Sequence, residues 1–245
     1  MSRELREALG APDTKQRYTR RLFATIADRY DLITVLLSYG RDRAWKRRLV
    51  SMSAAGPQTR ALDLACGTGD IAFALADRGA AVVGLDVTLR MIQLARQKAA
   101  VRGGPALPFI VGDMMTLPFS DASFDLITTG YGIRNVPQIR PAIGEIRRVL
   151  RPGGLMLSLD FDRPANPLIR GVYVTYLTIV GSALGWVLHR DPDTYRYIPA
   201  SIVTYPGASR VASMMEEQGF EACRVLPVLG GLMAINVGIR SATIA

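Results

Sequence analysis

The chain has 245 residues, 49% of them hydrophobic, so it is long enough to bury a core and too apolar for general disorder. Its 30 Lys and Arg against 21 Asp and Glu leave a net charge of +9, which favours an anionic partner such as a phospholipid surface or nucleic acid. Two cysteines, Cys66 and Cys223, exclude a cysteine metal cluster and a disulfide framework and point to a reducing cytoplasm, with no metal expected.

Residues 1–10 are charged and lack the apolar core of a signal peptide. The charge excess is concentrated early, with twelve basic and six acidic side chains in residues 1–50. From Pro12-Asp13 a helical period places Leu22, Phe23, Ile26, Ala27 and Tyr30 on one face, an amphipathic helix lying over something. A second helix is expected over 32–53, where Arg41, Arg43, Lys46, Arg47 and Arg48 surround Trp45. That run is either a solvated face or a contact for anionic lipid head groups. Gly56-Pro57 closes this basic arm, residues 1–56.

The core, 57–162, alternates short apolar runs with helix-like segments, the pattern of a mostly parallel sheet with helices on both faces. The first strand runs from Arg60 into the turn Ala65-Cys66-Gly67-Thr68-Gly69-Asp70 and on to a helix over 71–78. Later strands are expected over 80–85, 106–111, 124–129 and 155–160, and helices over 88–101 and 138–150, the last stopped by Arg151-Pro152-Gly153-Gly154. Residues 163–206 break the pattern. They include 171–188, eighteen residues without a formal charge, borderline in length for a membrane span. A helix over 207–218 and strands near 224–229 and 232–239 must still complete the sheet, so an apolar lid over the strand ends is expected instead. Residues 207–245 then finish the core.

Open α/β sheets place ligands at their strand C-termini, and polar residues recur there. Gly67 and Gly69 let the backbone turn sharply beneath a ligand. The Gly67-x-Gly69-x-x-Ala72 spacing also satisfies the loose dinucleotide pattern and, alone, could be a plain turn. Asp86, seventeen residues after Gly69, suits the two hydroxyls of a ribose, and Asp113 with Met114 suits an adenine amino group. Asp63, Asp70, Asp86 and Asp113 make an acidic rim better matched to a sulfonium and an α-amino group than to two phosphates.

Several segments carry a resemblance: Phe23-x-x-Ile26-Ala27-x-x-Tyr30-Asp31, Trp45-Lys46-Arg47, 62–70, Leu117-Pro118-Phe119, Tyr131-Gly132-Ile133-Arg134-Asn135-Val136, Arg148-Val149-Leu150-x-Pro152-Gly153-Gly154 and Tyr195-Arg196-Tyr197-Ile198. With these the chain resembles the class I adenosylmethionine-dependent methyltransferases and, more closely, the quinone-biosynthesis C-methyltransferases acting on demethylmenaquinol or a polyprenyl benzoquinol. The resemblance implies a doubly wound, mostly parallel, seven-stranded Rossmann-like sheet with a helical arm and lid, and S-adenosyl-L-methionine as cofactor. It places Gly67, Thr68 and Gly69 at the methionine portion with Asp63 nearby, Asp86 at the ribose, Asp113 and Met114 at the adenine, Gly130 beside the sulfonium and Tyr30 as a closing residue. Arg134 and Asn135 would face the quinol, Arg134 stabilising a phenolate or polarising a water that takes the proton; alternatively Arg134 is half of a structural ion pair. The sequence departs from the family at Ile33-Thr34, where Met-Asn is usual, at Asp42, where His is common, and at Asp160, in place of Glu. His189, the only histidine, matches no motif position and is expected to be structural or on the surface.

The expected partners are a polyprenyl quinol and an anionic membrane touched peripherally from the cytoplasmic face, with no nucleic acid; a homodimer stays open. Rival readings are another lipid or small-molecule acceptor, a nicotinamide-dependent reductase, an RNA methyltransferase or an inactive lipid-binding scaffold.

Overall fold

Apolar runs of five to seven residues joined through amphipathic helices bury both faces only as a parallel sheet between helical layers. The computed structural model, which describes residues 5, 7, 9–38, 40–104 and 107–242, has that arrangement. Strands β1 (Arg60–Leu64), β2 (Ala81–Asp86), β3 (Phe109–Val111), β4 (Phe124–Gly130), β5 (Leu150–Phe161), β6 (Phe220–Val228) and β7 (Met233–Arg240) form one sheet in the order β3-β2-β1-β4-β5-β7-β6. The first five run parallel, and β7 lies antiparallel between β5 and β6. Alternation along β1 sends Ala61 to one buried face and Leu62 and Leu64 to the other. The strand order reverses at β1, between β2 and β4, which opens a crevice at their C-terminal ends.

The arm comprises α1 (Pro12–Ile26), a 3-10 turn (Ala27–Arg29), α2 (Tyr30–Leu37) and α3 (Asp42–Met52). The single helix expected over 32–53 is therefore two. Gly40 takes φ +73°, and the Ser38 hydroxyl accepts the Asp42 N–H at 3.1 Å, so a new helix starts there. Helix α4 (Asp70–Ala76) follows β1, α5 (Leu89–Arg102) follows β2, and α6 (Ile139–Val149) precedes β5. A second correction falls at Arg151-Pro152-Gly153-Gly154, expected as a turn before a strand over 155–160. The strand already begins at Leu150, and the Pro-Gly-Gly segment is a bulge where the pairing jumps from Phe124↔Leu150 to Leu126↔Leu155. Most of the charged stretch 1–10 and Ala106, the expected start of the third strand, lie outside the described residues.

Residues 163–206 fold as α7 (Pro167–His189) and α8 (Tyr197–Thr204), and α9 (Ala208–Glu217) leads into β6. Asn166 caps α7, accepting from the N–H groups of Leu168 and Ile169. By length and composition α7 is the one helix among the described residues that could cross a membrane. Its Gly181 and Gly185, however, lie against Tyr195 and Asp191-Pro192, where a Cβ on Gly185 would stand 2.4 Å from the Asp191 carbonyl. The chain then returns to pair β7 with β5, the strand that preceded the helix. Leu22, Ile26 and Ile33 of the arm pack with Tyr195 and Tyr197, so arm and insertion close together over the crevice.

Candidate active site

Glycine at the β1–α4 turn is a steric requirement. Gly69 has φ +94°, and a Cβ there would come within 2.8 Å of Phe109 and 2.9 Å of Phe73. The turn lets backbone approach two buried carboxylates. Asp86, at the end of β2, accepts the N–H of Gly67 at 2.9 Å and of Thr88 at 2.8 Å; burial raises its pKa against those bonds. Asp63, inside β1, is buried and accepts the Thr128 hydroxyl at 2.8 Å through Oδ1. Its Oδ2 has no hydrogen-bond partner. Burial pushes the Asp63 pKa up to about 7, against the Thr128 bond, the Lys46 charge and the Ala72 backbone.

Asp63 faces a small cavity shared with Lys46, Thr68 and Ile71, which continues past Gly67, Gly130, Tyr30 and Tyr131 into a larger cleft of about 730 Å³. Asp86, Thr88, Met91, Asp113 and Met114 line that cleft, and α1 roofs it with Gln16, Thr19, Arg20 and Phe23. The residues fit adenosylmethionine. The orphaned Asp63 oxygen needs a buried donor, which an α-ammonium supplies. Asp86 lines the cleft at the end of β2, and the space beyond it is large enough for a nucleoside.

The acidic rim expected from sequence is partly neutralised, a correction. Asp70 pairs with Lys46 at 2.9 Å and Lys98 at 3.4 Å; burial would raise its pKa, and these two cations outweigh it and bring it below the ordinary value. The Thr68 hydroxyl donates to Asp31 at 2.7 Å and accepts from Lys98 at 2.8 Å, tying the loop to the arm. Asp113 lines the cleft, but its carboxylate already accepts from Gln16 and, at 2.8 Å, from the Met115 N–H. Of the four acids only Asp70 is paired with cations, so the electrostatic case for a cationic ligand rests on Asp63, Asp86 and Asp113.

A second cavity, with about 1020 Å³ of empty space, lies on the far side of Phe23, Tyr30, Tyr131 and Asn135, four residues that line both it and the cleft. Its own wall is apolar and aromatic, built by Ile33 and Leu37 of α2, Tyr173 and Tyr176 of α7, and Tyr195 and Tyr197. Tyr131 is held in the left-handed region at φ +62° and donates its hydroxyl to Asp42 at 2.7 Å. Asp42 is buried and also pairs with Lys46 at 2.7 Å. Asn135 donates to the Tyr131 carbonyl at 2.7 Å and accepts the Tyr197 hydroxyl at 3.0 Å, so its amide is fixed between the two cavities.

Arg134 is the one ionised side chain on the wall of the second cavity among the described residues. It is also one half of a buried ion pair with Asp160, donates from Nε to Ser201 at 2.9 Å and lies 4.8 Å from the Phe161 ring centre. Burial would lower its pKa, and the Asp160 charge more than compensates. The structural ion pair is thus present, and the same side chain lines the cavity wall.

Lys15 and Gln16 carried no sequence signal, because they sit on the polar face of an amphipathic helix. Lys15 donates to the carbonyls of Arg134 at 2.9 Å and Val136 at 2.7 Å, clamping the turn that presents Arg134 and Asn135. Burial first, then the Arg134 charge, lowers its pKa to about 8. His189 lines neither cavity; its Nε2 meets the Tyr195 hydroxyl at 2.8 Å.

A sheet of this order with one antiparallel strand beside its edge, and a nucleoside cleft at the β1/β4 switch point, defines a class I methyltransferase. Solved structures share the fold: a methyltransferase from Thermotoga maritima described as a possible histamine N-methyltransferase aligns with TM-score 0.65 at 18% identity over 90% of this chain and 99% of its own. A methyltransferase from Aquifex aeolicus aligns with TM-score 0.58 at 15% identity over 80% and 89%. More specifically, residues 11–240 match the model of the ubiE/COQ5 methyltransferase family, and the chain belongs to that family. A Thermus thermophilus relative named demethylmenaquinone methyltransferase is 40% identical over 89% of this chain and 100% of its own length. A Deinococcus radiodurans relative of the same name is 38% identical over 97% and 99%. The protein is a methyltransferase that uses S-adenosyl-L-methionine.

Proposed function

We propose that the enzyme methylates a ring carbon of a polyprenylated quinol, demethylmenaquinol being the acceptor that its relatives' names indicate. One observation carries this reading: an apolar cavity large enough for a ring and the first part of an isoprenoid tail shares a four-residue wall with the cofactor cleft. Bound adenosylmethionine supplies an electrophilic methyl group on a sulfonium. Asp63 would receive the ammonium through the unpartnered Oδ2, and Asp86 would hold the ribose hydroxyls. Phe23, Tyr30 and Tyr131 exclude water from the boundary, so the reacting carbon is held against the donor rather than solvated.

A phenol ring becomes nucleophilic at carbon when its hydroxyl loses a proton; as the carbon–methyl bond forms, the methyl–sulfur bond would break to leave adenosylhomocysteine, and the hydrogen of the attacked ring carbon would return to the oxygen to restore the aromatic quinol. Arg134 is the cation that would stabilise that phenolate, its guanidinium fixed by Asp160 and Ser201, and Asn135, itself fixed by Tyr131 and Tyr197, would position the ring. The wall offers no carboxylate or histidine to take the proton among the described residues, so the proton passes to solvent water, polarised by Arg134, as the ring enters. The tyrosines do not act as bases: burial raises the pKa of Tyr30 to about 12 and those of Tyr131 and Tyr197 as well. The acceptor in this reading is a bilayer lipid, and the reaction is proposed to take place at the cytoplasmic face of a membrane. The test is incubation with labelled adenosylmethionine and a short-tailed demethylnaphthoquinol, reduced or oxidised. Label in the reduced acceptor alone is expected; equal labelling of the quinone would overturn the phenolate step, and labelling of neither would overturn the substrate.

A further inference from the structure

Helix α7 leaves one face without a partner. Leu168, Val172, Ile179, Trp186 and Val187 fall on a single stripe at helical spacing, and all are more than half exposed. The stripe runs about 28 Å at 1.5 Å per residue. No acidic residue occurs between Asp162 and Asp191, while Arg163, Arg170 and Arg190 bracket the helix. The opposite face of α7, through Tyr173, Tyr176 and Leu177, lines the second cavity.

Helix α2 repeats the arrangement: Ile33, Thr34 and Leu37 line the same cavity, whereas Leu32, Val35 and Leu36 are exposed. Arg29, just before α2, donates to the Leu188 carbonyl and ties the two helices together at the end of α7. Beyond α2, Arg41, Arg43, Arg47 and Arg48 of the next turn and α3 are exposed and make no ion pair among the described residues. Asp42, the acid among them, is buried and occupied by Lys46 and Tyr131.

An apolar stripe with cations at its two ends and no acid along it, together with four more exposed, unpaired arginines on the segment that follows α2, is complementary to an apolar layer topped with anionic head groups. A second copy of the chain fits it worse, because a two-fold contact would set the same cations against each other. We propose that α7 lies flat in the interface of an anionic bilayer with this stripe inserted, the α3 arginines on the head groups, and the cavity between α2 and α7 receiving its isoprenoid tail directly from the lipid. This rests on the reading of the acceptor as a lipid quinol, and the two are separable by experiment.

Sedimentation of the full chain with phosphatidylcholine vesicles, with and without phosphatidylglycerol, tests it. Binding to the anionic vesicles, weakened by salt and accompanied by a blue shift of emission that Trp186→Phe removes, is expected. Val172→Asp/Ile179→Asp and Arg43→Glu/Arg47→Glu should each weaken binding by at least about tenfold. Each should leave thermal unfolding and turnover of a short-tailed, water-soluble quinol unchanged, since none of these residues lines the cleft or the cavity. Absence of vesicle binding, binding indifferent to the stripe substitutions, or a stable homodimer that those substitutions split would overturn the proposal. Loss of the quinol reading alone would show as vesicle binding intact with no methylation of the soluble quinol.

Discussion

Cofactor affinity should depend on pH through Asp63, and the structure sets the direction. The buried carboxyl titrates near 7 when its site is free, while the ligand's ammonium requires its carboxylate form. Binding below that value must therefore expel a proton, and affinity falls about tenfold for each pH unit below about 7. Adenosylhomocysteine is the cleaner probe, because it keeps the ammonium and lacks the sulfonium charge. Calorimetric titration from about pH 8 to about pH 5 should weaken its binding by about a hundredfold, with a proton released into the buffer on the acid side. Asp63→Asn should bind weakly at every pH and flatten the profile. The free protein carries the mirror image: the raised pKa stabilises the fold below the ordinary value of 3.8, and that contribution is lost as pH rises through about 7. Ligand should restore it, so the shift in melting temperature on binding should grow with pH. Wild-type affinity that is level across this range, or an Asn variant with the same slope, would refute the role given to Asp63.

Arg134→Ala should lower turnover far more than adenosylhomocysteine affinity, since Arg134 lines the second cavity and not the cleft; unchanged turnover would sink its catalytic role. Asp160→Ala leaves that guanidinium buried and unpaired and should cost about 3–5 kcal/mol in denaturant unfolding. Gly132→Ala would place a Cβ 2.3 Å from the Thr129 hydroxyl and 2.9 Å from Ala65, so an overpacking cost of about 1–3 kcal/mol is expected, together with loss of cofactor binding. Lys15→Met removes the clamp on the Arg134 and Val136 carbonyls and should reduce kcat with little change in melting temperature; a KM effect alone would contradict a positioning role.

The periodic parts of the fold were legible because each has one strong local cause. Alternating apolar runs marked the strands, Gly67 and Gly69 the turn, and carboxylates at strand ends the crevice. The misreadings share another cause: tertiary contacts decided them. A helix over 32–53 is sound by propensity, but Gly40 and the Ser38 cap break it. Pro152-Gly153-Gly154 reads as a turn, yet strand pairing on both sides absorbs it as a bulge. The site followed the same rule. Asp63 and Asp86 were visible as acids at the right spacing, whereas the neutralisation of Asp70 by Lys46 and Lys98 joins residues up to 28 positions apart, which no local pattern encodes. Gln16 reaches Asp113 across 97 positions, and so was invisible for the same reason.

Phe23, Tyr30, Tyr131 and Asn135 form the wall that a methyl group passing from cleft to cavity would cross. The most direct test is to supply adenosylmethionine carrying a carbon-13 methyl together with demethylmenaquinol, and to locate the label in the product by NMR. An aryl carbon–methyl bond with both quinol hydroxyls free is expected. A label on oxygen, or a product in which the quinol is untouched, would contradict it.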